Sequence, residues 1–255
     1  MSLLSRLPVA RPLAFLGEML LTGVAAFGGR WRFRAQDLWQ VAADCSARAV
    51  PIVSVVNLLV GAILAFVGAV QLRKFGAGLY VADLVGIAVA REMAAIITAV
   101  VMAGRTAAAF AAELATMQAN EEIDALDVLG LAATDFLVLP RVIALLAVMP
   151  LLYAFGCLAG LVGGMLVSIG LLDVSAAAYL QRTAEAMSWT HLALGAAKSV
   201  VFGATLGLIG CYCGLYARRN AAGVGVATTQ AVVTSIVAII VIDAVFAICA
   251  NALDI

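Results

Sequence analysis

Few side chains in this sequence could do chemistry, and their spacing excludes the commoner kinds. The only histidine is His191, and the cysteines are Cys45, Cys157, Cys211, Cys213 and Cys249, an odd number with no CxxC pair, set mostly in apolar runs. A structural zinc site needs four closely spaced Cys or His ligands, so these cysteines read as small buried hydrophobes. No HExxH, no GxSxG and no acidic cluster suited to two metals occurs. The nearest approach to a phosphate loop, Gly195-Ala-Ala-Lys-Ser199, has the wrong spacing and lies in an apolar run. Any ATP-driven work would therefore need another chain to hydrolyse the nucleotide. What remains is a set of charges in apolar surroundings: Arg91, Glu92, Arg105, Lys198 and Asp243.

Composition says what those surroundings are. Of 255 residues, 65% are hydrophobic and 12% charged, against about 45–50% and about 25% in a soluble domain. Mean hydropathy is +1.13. A soluble enzyme, a disordered chain and a nucleic-acid binder are excluded, the last also because fifteen basic residues balance fifteen acidic ones. The reading is an all-α polytopic membrane protein. Five apolar stretches can cross about 30 Å of hydrocarbon as helices: about 50–70, 86–112, 142–169, 193–216 and 229–250. The third is longer than a perpendicular helix needs, so it must tilt, bend near Pro150 or project from the bilayer.

Orientation follows the basic residues. With the N-terminus inside, the inner side holds Arg6, Arg11, Arg30, Arg32, Arg34, Arg48, Arg141, Arg218 and Arg219, and the outer side holds Arg73, Lys74 and Arg182. The N-terminus is expected in the cytoplasm and the C-terminus outside. Arg6 and Arg11 are followed by no apolar core with an A-x-A-like cleavage site, so no cleaved signal is expected. Residues 13–28, with Glu18 among them, predict a helix lying at the membrane surface. Arg30, Arg32 and Arg34, interleaved with Trp31 and Phe33, would sit among headgroups. The chain divides into an N-terminal cytoplasmic and interfacial segment, 1–45, and a transmembrane domain, 46–255. Gly156, Gly160 and Gly164 form two overlapping GxxxG steps, and Gly203 with Gly207 and Gly210 with Gly214 form two more. Such small residues let helix backbones approach closely in lipid.

The charges at span depth each need a reason, since an ionisable side chain there costs about 2.5–3.5 kcal/mol on insertion scales. Arg91, Glu92, Lys198 and Asp243 fall at roughly one depth, with Arg105 nearer the inner side. They could pair among themselves, or line a cavity for a polar or anionic headgroup. The segment between spans two and three, Glu113 to Gly130, reads instead as a short helix outside the membrane. Asn120 is its expected N-cap, Glu121, Glu122, Asp124 and Asp127 suit its start, and Gly130 its end. Ile123, Leu126 and Leu129 form an apolar stripe beside an acidic face. Four acids would face anionic lipid unfavourably, so docking on a partner is the expected use.

With those residues in view, the sequence resembles the Mla-type (YrbE/MlaE) permease family of ABC transporters linked to MCE proteins. The resemblance covers about residues 45–250. It rests on the continuous block AREMAAIITAVVMAGRTAAAFAAELATMQANEEIDALDVLG at 90–130, then LVLPRVIA at 137–144, KSVVFG at 198–203, GCYCGLYARR at 210–219 and GVGVATTQAVVTS at 223–235. It implies five transmembrane helices, an N-terminal interfacial helix and a homodimer. The implied partners are two ATPase subunits, which bind ATP and Mg, a hexameric MCE-protein ring outside, and a STAS-domain subunit. It implies that the 120–130 helix, with Glu121, Glu122, Ile123, Asp124, Leu126 and Asp127, is the coupling helix that seats on the ATPase. It also implies that Arg91, Glu92, Lys198 and Asp243 lie where the family's lipid cavity lies. The chain itself would hold no cofactor and no metal.

The resemblance therefore implies a permease subunit moving phospholipid or a related lipid between the inner membrane of a Gram-negative-type bacterium and a periplasmic MCE protein, in the service of outer-membrane lipid asymmetry. Two departures stand out. Ala94-Ala95 replace a frequent Gly-Pro after the Arg-Glu pair, implying a milder kink, and Ala107 replaces a frequent glycine, implying looser packing. The rival readings are an intramembrane lipid-modifying enzyme, for which only His191, Glu92 and Asp243 are on offer, and a passive scaffold of an envelope complex.

Overall fold

The structure, a computed structural model, describes residues 10–27, 35–172 and 174–253; Arg6, Pro8, Arg30, Trp31, Arg32, Phe33 and Arg34 lie outside them. Among the described residues there is no strand. Helix α1 is Ala10–Phe27, α2 Ala35–Ala47, α3 Val50–Leu72, α4 Val81–Ala88, α5 Ala94–Met102, α6 Ala108–Ala119, α7 Glu122–Val128, α8 Leu139–Leu172, α9 Ala176–Ala186, α10 Trp189–Leu215 and α11 Ala221–Ala252. Three π-turns interrupt the run, at Val89–Met93, Ala103–Ala107 and Thr134–Val138. Five helical stretches are long and apolar enough to cross a membrane: Gln36–Phe75, Val81–Ala119, Thr134–Leu172, Trp189–Leu215 and Ala221–Ala252. The protein is thus an all-α, multi-pass membrane protein.

Each stretch is longer than the apolar run that announces it, because helix continues past the hydrocarbon limit into the flanking polar residues. The first begins well before residue 50, since α2 precedes α3 with only a two-residue turn between them. Helix α8 runs unbroken for 34 residues with Pro150 inside it, about 51 Å at 1.5 Å per residue. Helix α9 was not expected. It starts where Ser175 Oγ accepts from Ala178 N at 3.2 Å and buries Tyr179 and Thr183. Burial pushes the Tyr179 hydroxyl up to about 12.

The contacts group into two compact units. One comprises residues up to Cys45, Met102–Ala147 and Gly203–Ala238. Here α1 packs onto α10: Phe15 and Met19 are buried, and the Phe15 ring meets Tyr212 edge-on at 5.4 Å. Glu18, the polar blemish in α1, accepts from Thr134 Oγ1 at 2.8 Å. Leu13, Leu20, Leu21 and Val24 stay exposed, so α1 has an apolar outer face as well as a docked one. Arg141 ties α8 to α6 through Glu113 at 3.1 Å and lies over the Phe110 ring. Arg105 donates to the carbonyls of Asp44 and Cys45 at 3.2 and 3.5 Å. Those are orphan acceptors at the end of α2, so Arg105 is spent on a helix terminus. The looser packing implied at Ala107 is not seen: Ala107 is fully buried, and a Cβ on Gly210 would stand 2.8 Å from its carbonyl oxygen.

The other unit comprises Ser46–Val101, Val148–Phe202 and the chain from Ile239. Its closest backbone approach joins α3 to α8. A Cβ on Gly61 would fall 1.9 Å from the Gly160 carbonyl oxygen, and one on Gly163 1.9 Å from that of Leu58. Gly156 faces Asn57 and Thr98, and Gly164 faces Tyr179 and Val85. Asn57, buried among apolar neighbours, donates to Val53 O at 2.9 Å and to Thr98 Oγ1 at 3.3 Å, satisfying a group that lipid could not. Arg182 pairs with Asp83 at 2.6 Å and covers the Tyr80 ring at 4.9 Å, fastening α9 to α4. Because backbone cannot rotate away as a side chain can, Gly163→Leu should cost about 3 kcal/mol or more of strain and lower the midpoint of thermal aggregation in detergent by more than about 5 °C. Gly170→Leu, where a Cβ meets nothing, should leave that midpoint within about 2 °C.

Candidate functional site

The centre of the site is Lys198. Its side chain is 0% exposed, in the middle of α10, where a lone ammonium would be expelled or neutralised. It is retained because carboxylates reach it from two other elements. Glu92 accepts from the Lys198 ammonium, and Asp243 of α11 lies 2.9 Å from the same nitrogen. Arg91 Nε stands 3.7 Å from the other oxygen of Glu92. The structure thus brings together Arg91, Glu92, Lys198 and Asp243 as one chain of alternating sign with no net charge. Glu92 and Arg91 are each 26% exposed and Asp243 17%, so the network is partly open at its two ends and closed at Lys198 between them.

Local backbone geometry aims these groups. Arg91 and Glu92 sit in the π-turn Val89–Met93, closed by Ala94 N–H to the Val89 carbonyl. A π-turn widens the ladder by one residue and re-aims the side chains on it. Here it stands where the sequence, lacking Gly-Pro, implied a milder kink. Tyr153 Oη donates to the Ala90 carbonyl inside the turn at 2.6 Å. A Cβ on Gly195 would lie 2.3 Å from that carbonyl oxygen and 2.4 Å from Tyr153 Oη. Gly195, the start of the phosphate-loop-like fragment, is therefore the close-approach point that lets α10 bring Lys198 up to Glu92. Tyr153 was not singled out in the sequence, and Gly195 drew notice only as the start of that fragment. Their only signals there were a tyrosine in an apolar run and a glycine three residues before the lysine.

His191 lies near the start of α10, half-buried. Glu92 and Asp243 meet at Lys198, and His191 makes no hydrogen bond or ion pair with either. Among the described residues no group of three or more His, Cys, Asp or Glu is placed to hold a metal ion.

The second functional element is α7. Asn120 does not cap it: Asn120 closes α6, and Glu121 takes the flanking position with φ of 60°, in the left-handed region. Asn120 Nδ2 donates to Glu122 instead, at 3.0 Å. At the other end Gly130 has φ of 75°. Its N–H bonds Asp127 O and that of Leu131 bonds Leu126 O, the paired bonds of a Schellman terminus. The apolar stripe is split: Ile123 is buried and Leu126 half-buried, while Val128 and Leu129 are 88% and 73% exposed.

The acidic face is split too. Asp124 takes a two-pronged bond from Arg219, Nη1 to Oδ2 at 2.7 Å and Nη2 to Oδ1 at 2.9 Å. Gln118 supports the same guanidinium: with its amide oxygen turned inward it accepts from Nε at 3.0 Å. Planar double contacts of this kind are directional, so α7 is held to the connection between α10 and α11. Glu121, Glu122 and Asp127 remain exposed. Arg219 entered the sequence reading only as an inner-side basic residue, because nothing local links it to Asp124, 95 positions away.

Helix-packing glycines recur in the first unit. A Cβ on Gly207 would meet Val142 at 3.1 Å, and Gly203 is buried.

Comparison with known proteins follows this geometry. Residues 38–249 match the family described as Permease MlaE. A probable ABC transporter permease protein of Rickettsia conorii is 38% identical over 191 residues, 75% of this chain and 74% of that protein. A second, from Synechocystis, is 38% identical over 167 residues, 66% of this chain and 64% of that protein. The chloroplastic protein TRIGALACTOSYLDIACYLGLYCEROL 1 of Arabidopsis thaliana is 35% identical over 173 residues, 68% of this chain and 49% of that protein. The family match takes in α7, the π-turn and all four residues of the charge network. The chain belongs to the MlaE permease family.

Proposed function

We propose that this chain is the membrane-spanning subunit of an ABC transporter that moves phospholipid, or a related lipid, between an inner membrane and a periplasmic MCE-domain ring. It works as a homodimer, N-terminus in the cytoplasm and C-terminus in the periplasm. Separate ATPase subunits, with a STAS-domain subunit bound to them, hydrolyse ATP with Mg. The observation that carries the lipid reading is the charge network of Arg91, Glu92, Lys198 and Asp243: balanced, partly exposed and set in apolar helices. A zwitterionic or anionic headgroup offers charges that can exchange with it, while its tails suit the surroundings. The name of the Arabidopsis relative contains a diacylglycerol lipid, a neutral glycolipid, which supports a lipid cargo without supporting a charged headgroup.

In this reading α7 is the coupling helix. Its exposed Val128 and Leu129 and its exposed carboxylates, Glu121, Glu122 and Asp127, meet the ATPase. Ile123, Leu126 and Asp124 face home. A push on α7 is passed through Asp124 to Arg219, two residues before the start of α11, the helix that carries Asp243. Motion at the ATPase can thus change the grip on Lys198.

Replacing Val128 and Leu129 together by Asp should leave the chain folded, and should cut ATP-dependent lipid transfer by at least about tenfold by removing about 1.4 kcal/mol or more of docking. Transfer at the wild-type rate would remove α7 from the role. Asp124→Arg and Arg219→Asp should each lower transfer at unchanged ATPase binding, and the double swap should restore most of it. A contact with the ATPase rather than within the chain would give no such rescue. Lys198→Met leaves two carboxylates facing each other, and should cost about 3–5 kcal/mol, read as a lower thermal midpoint and loss of transfer. Lys198→Met with Glu92→Gln and Asp243→Asn should recover the midpoint but not the transfer.

A further inference from the structure

Two cavities in the first unit are lined by none of the charge-network residues. One, of about 390 Å³, is apolar: Phe15 and Leu16 of α1 form one wall, Leu208 and Ile209 of α10 another. The second, of about 320 Å³, is bounded by Tyr216, Arg218 and Gly223 at the connection between α10 and α11. Cys213 and Gln230 line both, so the two adjoin as neighbouring chambers of a groove, the first strongly apolar and the second more polar. Each volume lies in the range of small-molecule sites, roughly 300–1,000 Å³.

The polar end is cationic and unsatisfied. Arg218 is exposed, and its guanidinium has no hydrogen bond or ion pair among the described residues, whereas its neighbour Arg219 is fully used by Asp124. Arg11, also exposed, stands one residue before Pro12, which lines the apolar chamber. The wall formed by α1 is pinned: Glu18 is bonded to Thr134, and Phe15 is set edge-on against Tyr212 and Tyr216. The groove is a built feature of the docked helix, not a gap left by a loose one.

We infer that this groove is a resident binding site for an anionic phospholipid, one acyl chain lying against Phe15, Leu16, Leu208 and Ile209 and the phosphate at Arg218. An apolar chamber opening onto an unpaired guanidinium at a span end matches that amphiphile in both chemistry and order. The inference does not depend on the chain transporting lipid, since a resident lipid would hold α1 in place with no nucleotide present.

The test uses the full chain in its native complex, in phosphatidylcholine nanodiscs containing a phosphatidylglycerol with a photoreactive diazirine near the end of one acyl chain. It is irradiated without ATP, and labelled peptides are mapped by mass spectrometry. Label should fall on the segments around Leu208–Cys213 and Gln230. Unlabelled phosphatidylglycerol should compete, and neither phosphatidylcholine nor inorganic phosphate should. Arg218→Glu should reduce the label about fivefold, the effect of losing one basic contact. Arg218→Gln serves if the reversal disturbs folding. Ile209→Trp, which fills the apolar chamber, should reduce label with the complex eluting unchanged. Label elsewhere, equal competition by phosphatidylcholine, or label insensitive to Arg218→Gln would overturn the assignment. So would a cross-link through Cys213 between two copies, because the groove would then be an interface.

Discussion

A positive charge with no exposure to solvent dictates what must stand around it. Lys198 sits within an apolar helix, and neither its solvation nor its charge can be recovered from lipid. Glu92 and Asp243 must therefore approach it, and their approach constrains three further elements. Span two must widen at Val89–Met93 to turn Glu92 inward. Tyr153 must take up the Ala90 carbonyl, and α10 must present a glycine at position 195 so that backbone and phenol fit. None of these would be required if the lysine were a leucine. A buried ion pair is weak evidence for stability, and this one is better understood as a commitment to a particular arrangement that can be exchanged for another.

The same economy appears at α7. A seven-residue helix has almost no intrinsic stability, and this one is held by its Schellman terminus, buried Ile123 and the paired hydrogen bonds from Arg219 to Asp124. Stiffness is what a transmitting element needs. A helix tethered on one face and exposed on the other can receive force from a partner and hand it to its own chain. The split of its carboxylates, one turned home and three outward, is the physical form of that double duty.

How much of this was legible in the sequence varies with how local each cause is. The five spans were legible because lipid tolerates no other pattern, and the four charges because each violates that pattern. Their assembly into one network was an open alternative, since depth can be counted along a helix but facing cannot. The α7 boundaries were half right: Gly130 ends the helix as its backbone freedom suggests, but Glu121, not Asn120, takes the flanking position, a left-handed turn that nothing local in Glu requires. Helices α2 and α9 escaped notice because they are short and too polar to read as spans. Gly61 and Gly163 were missed for a different reason: neither belongs to a marked GxxxG step, yet both make the closest backbone approaches. Asn57, Arg105 and Arg219 find their partners 41 to 95 positions away, beyond the reach of any window along the chain.

The central claim, a lipid-binding permease that works with separate ATPases, is tested most directly by native mass spectrometry of the complex after mild detergent extraction. The account predicts two copies of this chain, ATPase subunits and at least one phospholipid, in one particle. A particle with a single copy, or one free of both lipid and ATPase, would contradict it.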